Sequence, residues 1–495
     1  MSLSDVFQQI PVEDKLPHQM EVMLEKKKYP SAILSRTNST YVPQSGTFYS
    51  MSNIPAVQST NNIITFLFSE DQGYADPASA ALHFTMNCRT NVAGQNASYD
   101  DLGTAVINRA RLLVNSVLVE DIQNSNVLSN VLAYCTVNRD YYSSVLNIEE
   151  GAFKFASSAW GDIINGAGQI TTQPNSLLAI NARQDAAATV VDTNNGTLQA
   201  GRDFTINLSH LFGLFRTRSF LPLRSMGMIK LEVYLEQPSI CLVAPGIAGG
   251  SVASYSLSNV RASMDILQLD GRLLSAFDRM MMSQDENMAF TLAYNTYQCD
   301  DANVPSSTST TLQTANLIYS KATPQLRKCL FVMRLTSNIA SLANYSVSSY
   351  TSPLVSNLQL KINSTLYPAT PMTSASEIYS KLSQCFNQQG NLQGGFLVPY
   401  ANYVGETVSL VNVVTNYFGG AQDDSNEFIM GIDLEKSRNE YYELDGVNSQ
   451  LAGGTIQLQF NYINAQGGTS ALNCMGMVEF TRYLKIQGGK GVVAI

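Results

Sequence analysis

The sequence predicts a mainly β protein built from two copies of one β unit, because strand-like alternation recurs along the chain and one segment of the first half returns in the second. Alternation of apolar and polar residues is clearest at residues 229–236 and appears again at 358–362 and 456–460. Successive side chains of a strand point to opposite faces, so these segments are predicted half-buried strands of antiparallel sheets. Helical periodicity is confined to short stretches at residues 127–135, 271–282 and 374–385.

The internal repeat is strongest where residues 111–119 align with residues 359–367. The two segments lie 248 positions apart, close to half the chain, and they share both the strand pattern and an Asn-Ser pair. A single match between short β segments carries little weight, so the order of further matches matters. The matched residues are Leu112 with Leu360, Asn115 with Asn363, Ser116 with Ser364, and Leu118 with Leu366.

The same register extends to the elements on either side of this segment. Residues 82–87 match residues 329–334 at an offset of 247, and each repeat is followed by a short helix-like stretch that ends in Cys135 or Cys385. Residues 229–236 and 456–463 are predicted to be the late strand of each half, at an offset of 227 because loops differ in length. An ordered series of this kind indicates a duplicated unit.

The pattern predicts five regions. Residues 1–55 have scattered apolar residues and many Ser, Thr and Pro, as expected for an arm that needs partners for order. The first β unit covers 56–270, a helical linker 271–286, the second unit 287–486, and a tail 487–495. Loops rich in Gly, Asn, Thr and Ser are predicted at residues 161–202, 300–318 and 387–424.

Composition indicates an obligate oligomer. A chain of 495 residues predicts two or three domains at about 100 to 200 residues each. Only 14% of the residues are charged, whereas soluble proteins average about a quarter. Much of the surface is therefore expected to face other proteins. The net charge of -9 argues against tight nucleic-acid binding, which needs a concentrated basic face.

Cysteine usage predicts free and mostly buried thiols. Seven cysteines are an odd number, they are widely spaced, and none forms a CxxC motif. This fits folding in a reducing compartment, and residues 1–30 lack the charged-then-apolar order of a signal peptide. No apolar run approaches the roughly 18 residues of a membrane span.

The sequence carries no recognisable catalytic or metal-binding pattern. The three histidines, His18, His83 and His210, lie outside any HExxH or clustered arrangement. His83 is interpreted as a structural residue of a strand and His210 as a packing or interface residue. No GxSxG elbow is present, and residues 488–491 lack the Ser or Thr of a phosphate loop, so they are interpreted as a flexible tail.

Charged groups in loops receive a structural interpretation as well. The pairs Asp285/Glu286 and Asp423/Asp424 lack the spacing of an acid/base dyad or a calcium loop, so solvated loops are preferred over metal sites. Arg216, Arg218 and Arg224 around Phe220 are expected to form salt bridges between neighbouring chains in preference to binding phosphate. The predicted sets of catalytic, cofactor-binding and metal-binding residues are therefore empty, and the protein is predicted not to be an enzyme.

The order of motifs resembles one protein family. Residues 204–215 and 220–223, followed by the strand at 229–236, are similar to the first jelly roll of double jelly-roll major capsid proteins of double-stranded DNA viruses. Residues 255–270 look like the last strand of that roll. In the second half, residues 326–333, 358–362 and 431–436 follow in the family's order. The resemblance covers residues 56–486, and the compact capsid proteins of polinton-like viruses, adintoviruses and virophages are the members it resembles most.

This resemblance implies two tandem eight-stranded antiparallel jelly rolls with a few short helices. It also implies a homotrimer that forms a pseudo-hexameric capsomer of an icosahedral virion capsid, assembled inside the host cell. Implied partners are neighbouring capsomers, penton and minor capsid proteins, and an internal membrane, with no specific nucleic-acid binding and no cofactor. The arm and tail would contact the inner side or neighbouring capsomers. The basic run Lys26, Lys27 and Lys28 is interpreted as a solvated patch, with contact to packaged DNA, a membrane or a minor protein as the alternative.

Two other classes of protein are built from similar β-sandwich folds. A carbohydrate-binding or adhesive β-sandwich protein is the main alternative, but the unpaired cysteines and the single tryptophan, Trp160, count against it. A β-sandwich glycosidase would need two carboxylates facing each other across a groove, and the sequence offers no such pair. Because jelly rolls serve many functions, the capsid interpretation depends on duplication, length and motif order together.

Overall fold

The computed structural model describes most of the chain outside its terminal and longest loop segments. The described residues are 33–44, 49–52, 62–68, 73–90, 98–152, 163–164, 170–171, 191–192, 196–197, 201–217, 219–243, 253–271, 275, 290–304, 312–342, 345–351, 355–386, 397–398, 403, 427–435, 446–450, 454–462, 471–487 and 490–494.

The first half contains sixteen of the described strands and most of the helices. The strands are β1 (Ile33–Tyr41), β2 (Tyr49–Ser52), β3 (Ile63–Phe68), β4 (Tyr74–Thr90), β5 (Ser98–Tyr99), β6 (Ile107–Val114), β7 (Val117–Ile122), β8 (Ile163–Ile164), β9 (Ile170–Thr171), β10 (Val191–Asp192), β11 (Gly196–Thr197), β12 (Arg202–Asn207), β13 (Leu221–Pro222), β14 (Ile229–Leu235), β15 (Leu242–Val243) and β16 (Ala253–Leu269). The α-helices are α1 (Ser125–Thr136), α2 (Arg139–Tyr141), α3 (Asn147–Glu149), α4 (Leu223–Met226) and α5 (Pro238–Cys241). Single turns of 3₁₀-helix cover Gly103–Val106, Leu208–His210 and Leu214–Arg216, and a π-helical turn covers Tyr142–Leu146.

The second half repeats the plan with fewer additions. Its strands are β17 (Phe290–Val304), β18 (Gln313–Ser320), β19 (Leu326–Leu335), β20 (Ser356–Ile362), β21 (Thr365–Met372), β22 (Ile429–Asp433), β23 (Thr455–Tyr462), β24 (Leu472–Gln487) and β25 (Lys490–Ala494), and its helix is α6 (Ala375–Cys385).

Each half folds into a jelly roll, in which eight main strands form two antiparallel sheets packed face to face. Strands β2 and β13 extend one sheet of the first roll, and β25 extends one sheet of the second. In the first roll the sheets have the orders β1-β16-β4-β12 and β3-β14-β6-β7. In the second roll the orders are β17-β24-β19-β22 and β18-β23-β20-β21. The eight main strands of these two sheets can be numbered from first to eighth along the chain within each roll. Both rolls then have the order first-eighth-third-sixth in one sheet and second-seventh-fourth-fifth in the other. This is the topology of two Greek keys, and it confirms the predicted fold class.

The alternating segments form the strands that the sequence predicts. Every second residue of β14 is buried, from Ile229 to Leu235, and β23 shows the same alternation. Buried side chains of both sheets share the core of each roll; in the first roll they include Leu112 and Leu231 of one sheet and Phe84 of the other. Full burial of such a side chain contributes about 1.5–3 kcal/mol, so the apolar face fixes the register.

The repeated segments occupy equivalent places in the two rolls. The strongest repeat is the hairpin of the fourth and fifth strands, β6-β7 and β20-β21, with Asn115-Ser116 and Asn363-Ser364 at the turns. Asn115 and Asn363 both have positive φ angles, of 49° and 58°, which asparagine tolerates well. The other repeats fall on the third strands, on the seventh strands, and on helices α1 and α6.

Three segments differ from the sequence-based expectation. Residues 33–41 and 49–52, expected in an arm, form β1 and β2, both paired with β16. Because β1 pairs on one side only and most of its side chains are exposed, it lacks the apolar alternation that marks a buried strand. The loop expected at 300–318 is strand at 300–304 and 313–318. Within the tail, β25 pairs with the end of β24.

Other predicted segments lie largely outside the described residues. The loops at 161–202 and 387–424 are described only in short pieces, and residues 271 and 275 are the described part of the predicted linker. None of the helices in the described part of the chain has the length and hydropathy that crossing a bilayer requires.

Candidate functional site at the junction of the two rolls

The two rolls are joined by a buried carboxylate. Glu120, in β7 of the first roll, has no solvent exposure. Its Oε2 accepts hydrogen bonds from the backbone N–H of Gly213 at 2.8 Å and from the hydroxyl of Thr296 at 2.6 Å. Its Oε1 accepts from the N–H of Leu214 at 2.7 Å. Since Thr296 belongs to β17, one carboxylate connects three segments and both rolls.

Burial and hydrogen bonding act in opposite directions on the pKa of Glu120. Removal from water raises the pKa of the carboxyl, and the hydrogen bonds from Thr296, Leu214 and Gly213 lower it. The nearby Arg216 also lowers it, but burial dominates and the pKa of Glu120 lies above its ordinary value. The site therefore depends on hydrogen bonds that offset the cost of burying an acid.

Gly213 brings the backbones of the two rolls into contact. A Cβ added at this position would lie 1.8 Å from the carbonyl oxygen of Asn295 in β17. Its φ of -67° suits any residue, so the need for glycine comes from the close approach alone. The second roll thus packs directly on the turn that donates to Glu120.

Further contacts extend this junction along β7. The hydroxyl of Tyr294 donates to the carbonyl oxygen of Val119 at 3.3 Å, and the guanidinium of Arg482 donates to the same oxygen. On the first roll, the Arg216 guanidinium lies 5.2 Å from the centre of the Tyr297 ring, a cation–π contact across the junction.

A second buried carboxylate joins the rolls at another point. Asp100 accepts hydrogen bonds from the backbone N–H of Val347 at 2.6 Å and from the hydroxyl of Ser348 at 2.5 Å. Helix α1 lies nearby, since the ring of its Tyr134 packs edge-on against Tyr350 at 6.3 Å between centroids. The neighbouring Asp101 accepts from the Tyr134 hydroxyl at 2.5 Å and so holds that ring in place.

A cavity of about 270 Å³ remains between the rolls. Its walls combine Leu132 and His210 of the first roll with Lys328 and Phe386 of the second. Burial lowers the pKa of Lys328, whose Nζ lies 2.7 Å from the carboxylate of Glu479. This lysine is thus paired with an acid, as expected for a charged group at a structural junction.

The structure gives the predicted histidines structural surroundings. The ring nitrogens of His83 lie 3.1 Å from the Thr205 hydroxyl and 2.8 Å from the Ser263 hydroxyl, so the ring bridges three strands. His210 lies 2.6 Å from Glu150. Burial lowers the pKa of His210, but the charge and hydrogen bond of Glu150 raise it more, so the net shift is upward.

Of the arginines in the predicted basic rim, the structure describes Arg216 and Arg224, and Arg224 is exposed. Arg216 turns inward, donating from Nε to the carbonyl oxygen of Ser209 at 2.7 Å and packing on Tyr297. Phe220 is partly exposed. The candidates that lie outside the described residues are His18, Lys26, Lys27, Lys28, Arg218, Asp285, Glu286, Asp423 and Asp424.

The residues that join the rolls were not identified from the sequence. Glu120 and Asp100 are single acids without a motif, and their partners Thr296 and Ser348 lie 176 and 248 positions away. The one available signal is that Glu120 directly follows the apolar run Val117, Leu118 and Val119 in its strand. Among the described residues, no cluster of three or more His, Cys, Asp or Glu side chains could hold a metal ion. All seven cysteines are free and buried, as predicted.

Two jelly rolls of identical topology in one chain define a double jelly-roll protein. The fold is similar to a chain of the Sputnik virophage, with a TM-score of 0.60 and 12% identity over 94% of this chain and 89% of that one. It is also similar to the Faustovirus major capsid protein, with a TM-score of 0.57 and 10% identity over 98% and 94% of the two chains. For the mavirus major capsid protein the TM-score is 0.51 and the identity 12%, over 98% and 95%.

Sequence comparison adds no relative to these structures. No model of a protein family matches the chain, and no curated protein sequence matches it either. At 10–12% identity, the structural likeness establishes the shared double jelly-roll fold.

Proposed function

We propose that this chain is a structural major capsid protein of a double-stranded DNA virus. In this proposal three chains form a pseudo-hexameric capsomer, and capsomers tile an icosahedral shell around the genome. The observation that carries the proposal is the pair of topologically identical rolls, fixed side by side by the buried Glu120 and Asp100 contacts. The fold likeness to two major capsid proteins spans 98% of the chain.

The duplicated architecture suits a shell built from hexagonal units. Three chains contribute six rolls of one topology, so a three-fold assembly approximates six-fold symmetry. A tile must also keep its shape, and a junction with buried hydrogen-bonded carboxylates holds the two rolls in one orientation. The low charged fraction of 14% fits large interfaces between chains, of about 2,000–5,000 Å² for obligate assemblies.

The remaining parts of the proposal concern partners and location. The chain would act by assembly and without catalysis, with penton and minor capsid proteins as partners, together with an internal membrane where the virus has one. A net charge of -9 supports enclosure of DNA without specific recognition of it. Seven free, buried thiols support assembly in the reducing interior of a host cell.

The mass of the purified full-length protein in solution tests the proposal. Light scattering at moderate salt is expected to give a species of about three times the chain mass of 54.0 kDa. The same measurement over a range of protein concentrations separates a defined trimer from aggregation. A single species at 54.0 kDa at every concentration would overturn the capsomer assignment.

A further inference from the structure

The contact between the two rolls joins two different surfaces. The first roll contributes its fifth strand, β7, with Val119 and Glu120. The second roll contributes its first strand, β17, with Tyr294 and Thr296. The junction thus uses a fifth-strand side and a first-strand side, in a head-to-tail contact. The chain has one more surface of each kind that this contact does not use. These are the fifth-strand side of the second roll and the first-strand side of the first roll.

On the unused fifth-strand side, the described residues are more exposed than their counterparts in the first roll. In the first roll Glu120 lies opposite Leu112, and in the second roll Tyr367 lies opposite the matching Leu360. Glu120 is fully buried, whereas Tyr367 is half-buried and Ala369, two residues further along β21, is exposed. What covers this flank in the first roll is therefore missing from the second.

The helices that follow these strands show the same contrast. Ten of the twelve residues of α1 are buried, and the helix contacts the second roll through Tyr350 as well as packing on the first roll. Only three of the eleven residues of α6 are buried, namely Ile378, Leu382 and Cys385. Within the described part of the chain, α6 is therefore the more exposed of the two helices.

The unused first-strand side is open as well. β1 corresponds to β17, and Leu34, Arg36, Thr37 and Thr40 along it are exposed. In the second roll, Thr296 pairs with Phe480, three residues beyond Met477. In the first roll β16 has a bulge between Ser258 and Arg261, so the count is made from Arg261, the equivalent of Met477. Three residues further on is Met264, the partner of Ser39. A neighbour in the same relation would thus approach β1 near Ser39 and Thr40.

The sheet behind this edge differs in chemistry between the rolls. His83 lies opposite Arg261 in the first roll, and the matching Leu330 lies opposite Met477 in the second. Leu330 and Met477 are fully buried, whereas Arg261 is exposed. Arg36 on β1 forms ion pairs with Asp76 and Asp265 at 2.9 Å and 2.6 Å. The open sheet is thus polar where its counterpart is apolar.

We propose that the β20-β21 flank of the second roll docks on the β1-β16 edge of the first roll of a second copy of this chain. The contact repeats the junction within the chain but meets a polar surface. It rests on the proposed function and assigns the surfaces through which the capsomer closes. The contact between copies buries less apolar area than the junction within one chain. Two copies are therefore expected to separate before the two rolls of one chain do.

Cross-linking tests this assignment in the full-length protein. A Thr40→Cys, Ala369→Cys variant is treated with a short bis-maleimide, and bands of two and three chains are expected on a denaturing gel. The matched control is Thr40→Cys with Ile318→Cys, because Ile318 is 57% exposed on β18, away from the proposed contact. The native protein serves as the second control, since its seven thiols are buried and burial raises the pKa of Cys88 to about 12.

The outcomes distinguish an error in the docking surface from an error in the proposed function. Cross-linking at 40 and 369 but not at 40 and 318, in a protein with the mass of a trimer, supports the assignment. A trimer that gives no 40–369 product, or equal products in both variants, overturns the surface and leaves the capsomer. A protein that is monomeric at every concentration overturns both.

Discussion

The carboxylate of Glu120 in the first roll accepts a hydrogen bond from the hydroxyl of Thr296 in the second roll at 2.6 Å. Both side chains are buried, and the same carboxylate binds two backbone N–H groups of the turn at Gly213. One acid thus sets both the turn and the position of the second roll.

Replacement of Glu120 is expected to weaken the whole chain. Glu120→Ala leaves the N–H groups of Gly213 and Leu214 buried without their acceptor, and each such loss costs about 1–3 kcal/mol. A decrease of about 3 kcal/mol in the free energy of unfolding is expected from chemical denaturation. The matched control is Glu149→Ala, which removes an exposed acid. Equal stability of the two variants would contradict the role of Glu120.

Stability should depend on pH through Glu120. Its pKa in the folded protein lies above the ordinary 4.5, because burial outweighs the hydrogen bonds. The folded state therefore holds the proton more tightly, and this contribution is complete below 4.5 and is lost as pH rises through the folded pKa. Relative to Glu120→Gln, the native protein is expected to lose free energy of unfolding as pH rises above 4.5. A difference that is constant with pH, or that grows in the opposite direction, would argue against a raised pKa.

A methyl group at position 213 should disturb the contact between the rolls. Gly213→Ala places a Cβ 1.8 Å from the Asn295 carbonyl oxygen, so the backbones must separate. Overpacking of this kind costs about 1–3 kcal/mol, and limited proteolysis between the rolls is expected to become faster. Gly271→Ala is the control, because a Cβ at that position meets no atom within 4 Å. Unchanged stability of Gly213→Ala would show that the rolls do not approach as described.

The two hairpin turns should respond differently to the same substitution. Ser116 has a φ of 67°, which costs energy for any residue with a Cβ, whereas Ser364 is not among the residues with positive φ. Ser116→Gly is expected to raise the free energy of unfolding by about 0.5–1 kcal/mol. Ser364→Gly is expected to lower it or leave it unchanged, because glycine adds entropy to the unfolded chain. Thermal denaturation of both variants measures the contrast, and the opposite ranking would refute the turn geometry.

Much of the fold could be predicted because it is encoded locally. The alternation in β14 and β23 reports which face is buried, and the repeated Asn-Ser pair marks the same turn in each roll. β1 was missed because it is an exposed edge strand with little apolar alternation. The end of β17 has a largely polar sequence, Gln-Cys-Asp-Asp-Ala-Asn-Val, which predicts a loop where the structure has a strand.

The junction could not be predicted because it depends on distant pairs. The hydrogen bond between Glu120 and Thr296 forms only when two complete rolls are in place, and neither residue belongs to a recurring motif. Gly213 illustrates the same point, since its φ is ordinary and only the approach of Asn295 requires glycine. The duplication indicates that two rolls exist, but their relative orientation arises from these tertiary contacts.

Electron microscopy of the purified, assembled protein tests the central claim most directly. The account predicts capsomers with a six-lobed outline, each made of three chains, that tile closed icosahedral particles or hexagonal sheets. Two of the six lobes should belong to each chain, and the boundary within a chain should match the Glu120 junction. Particles that consist of isolated two-lobed monomers at every concentration would contradict the claim that this protein builds a shell.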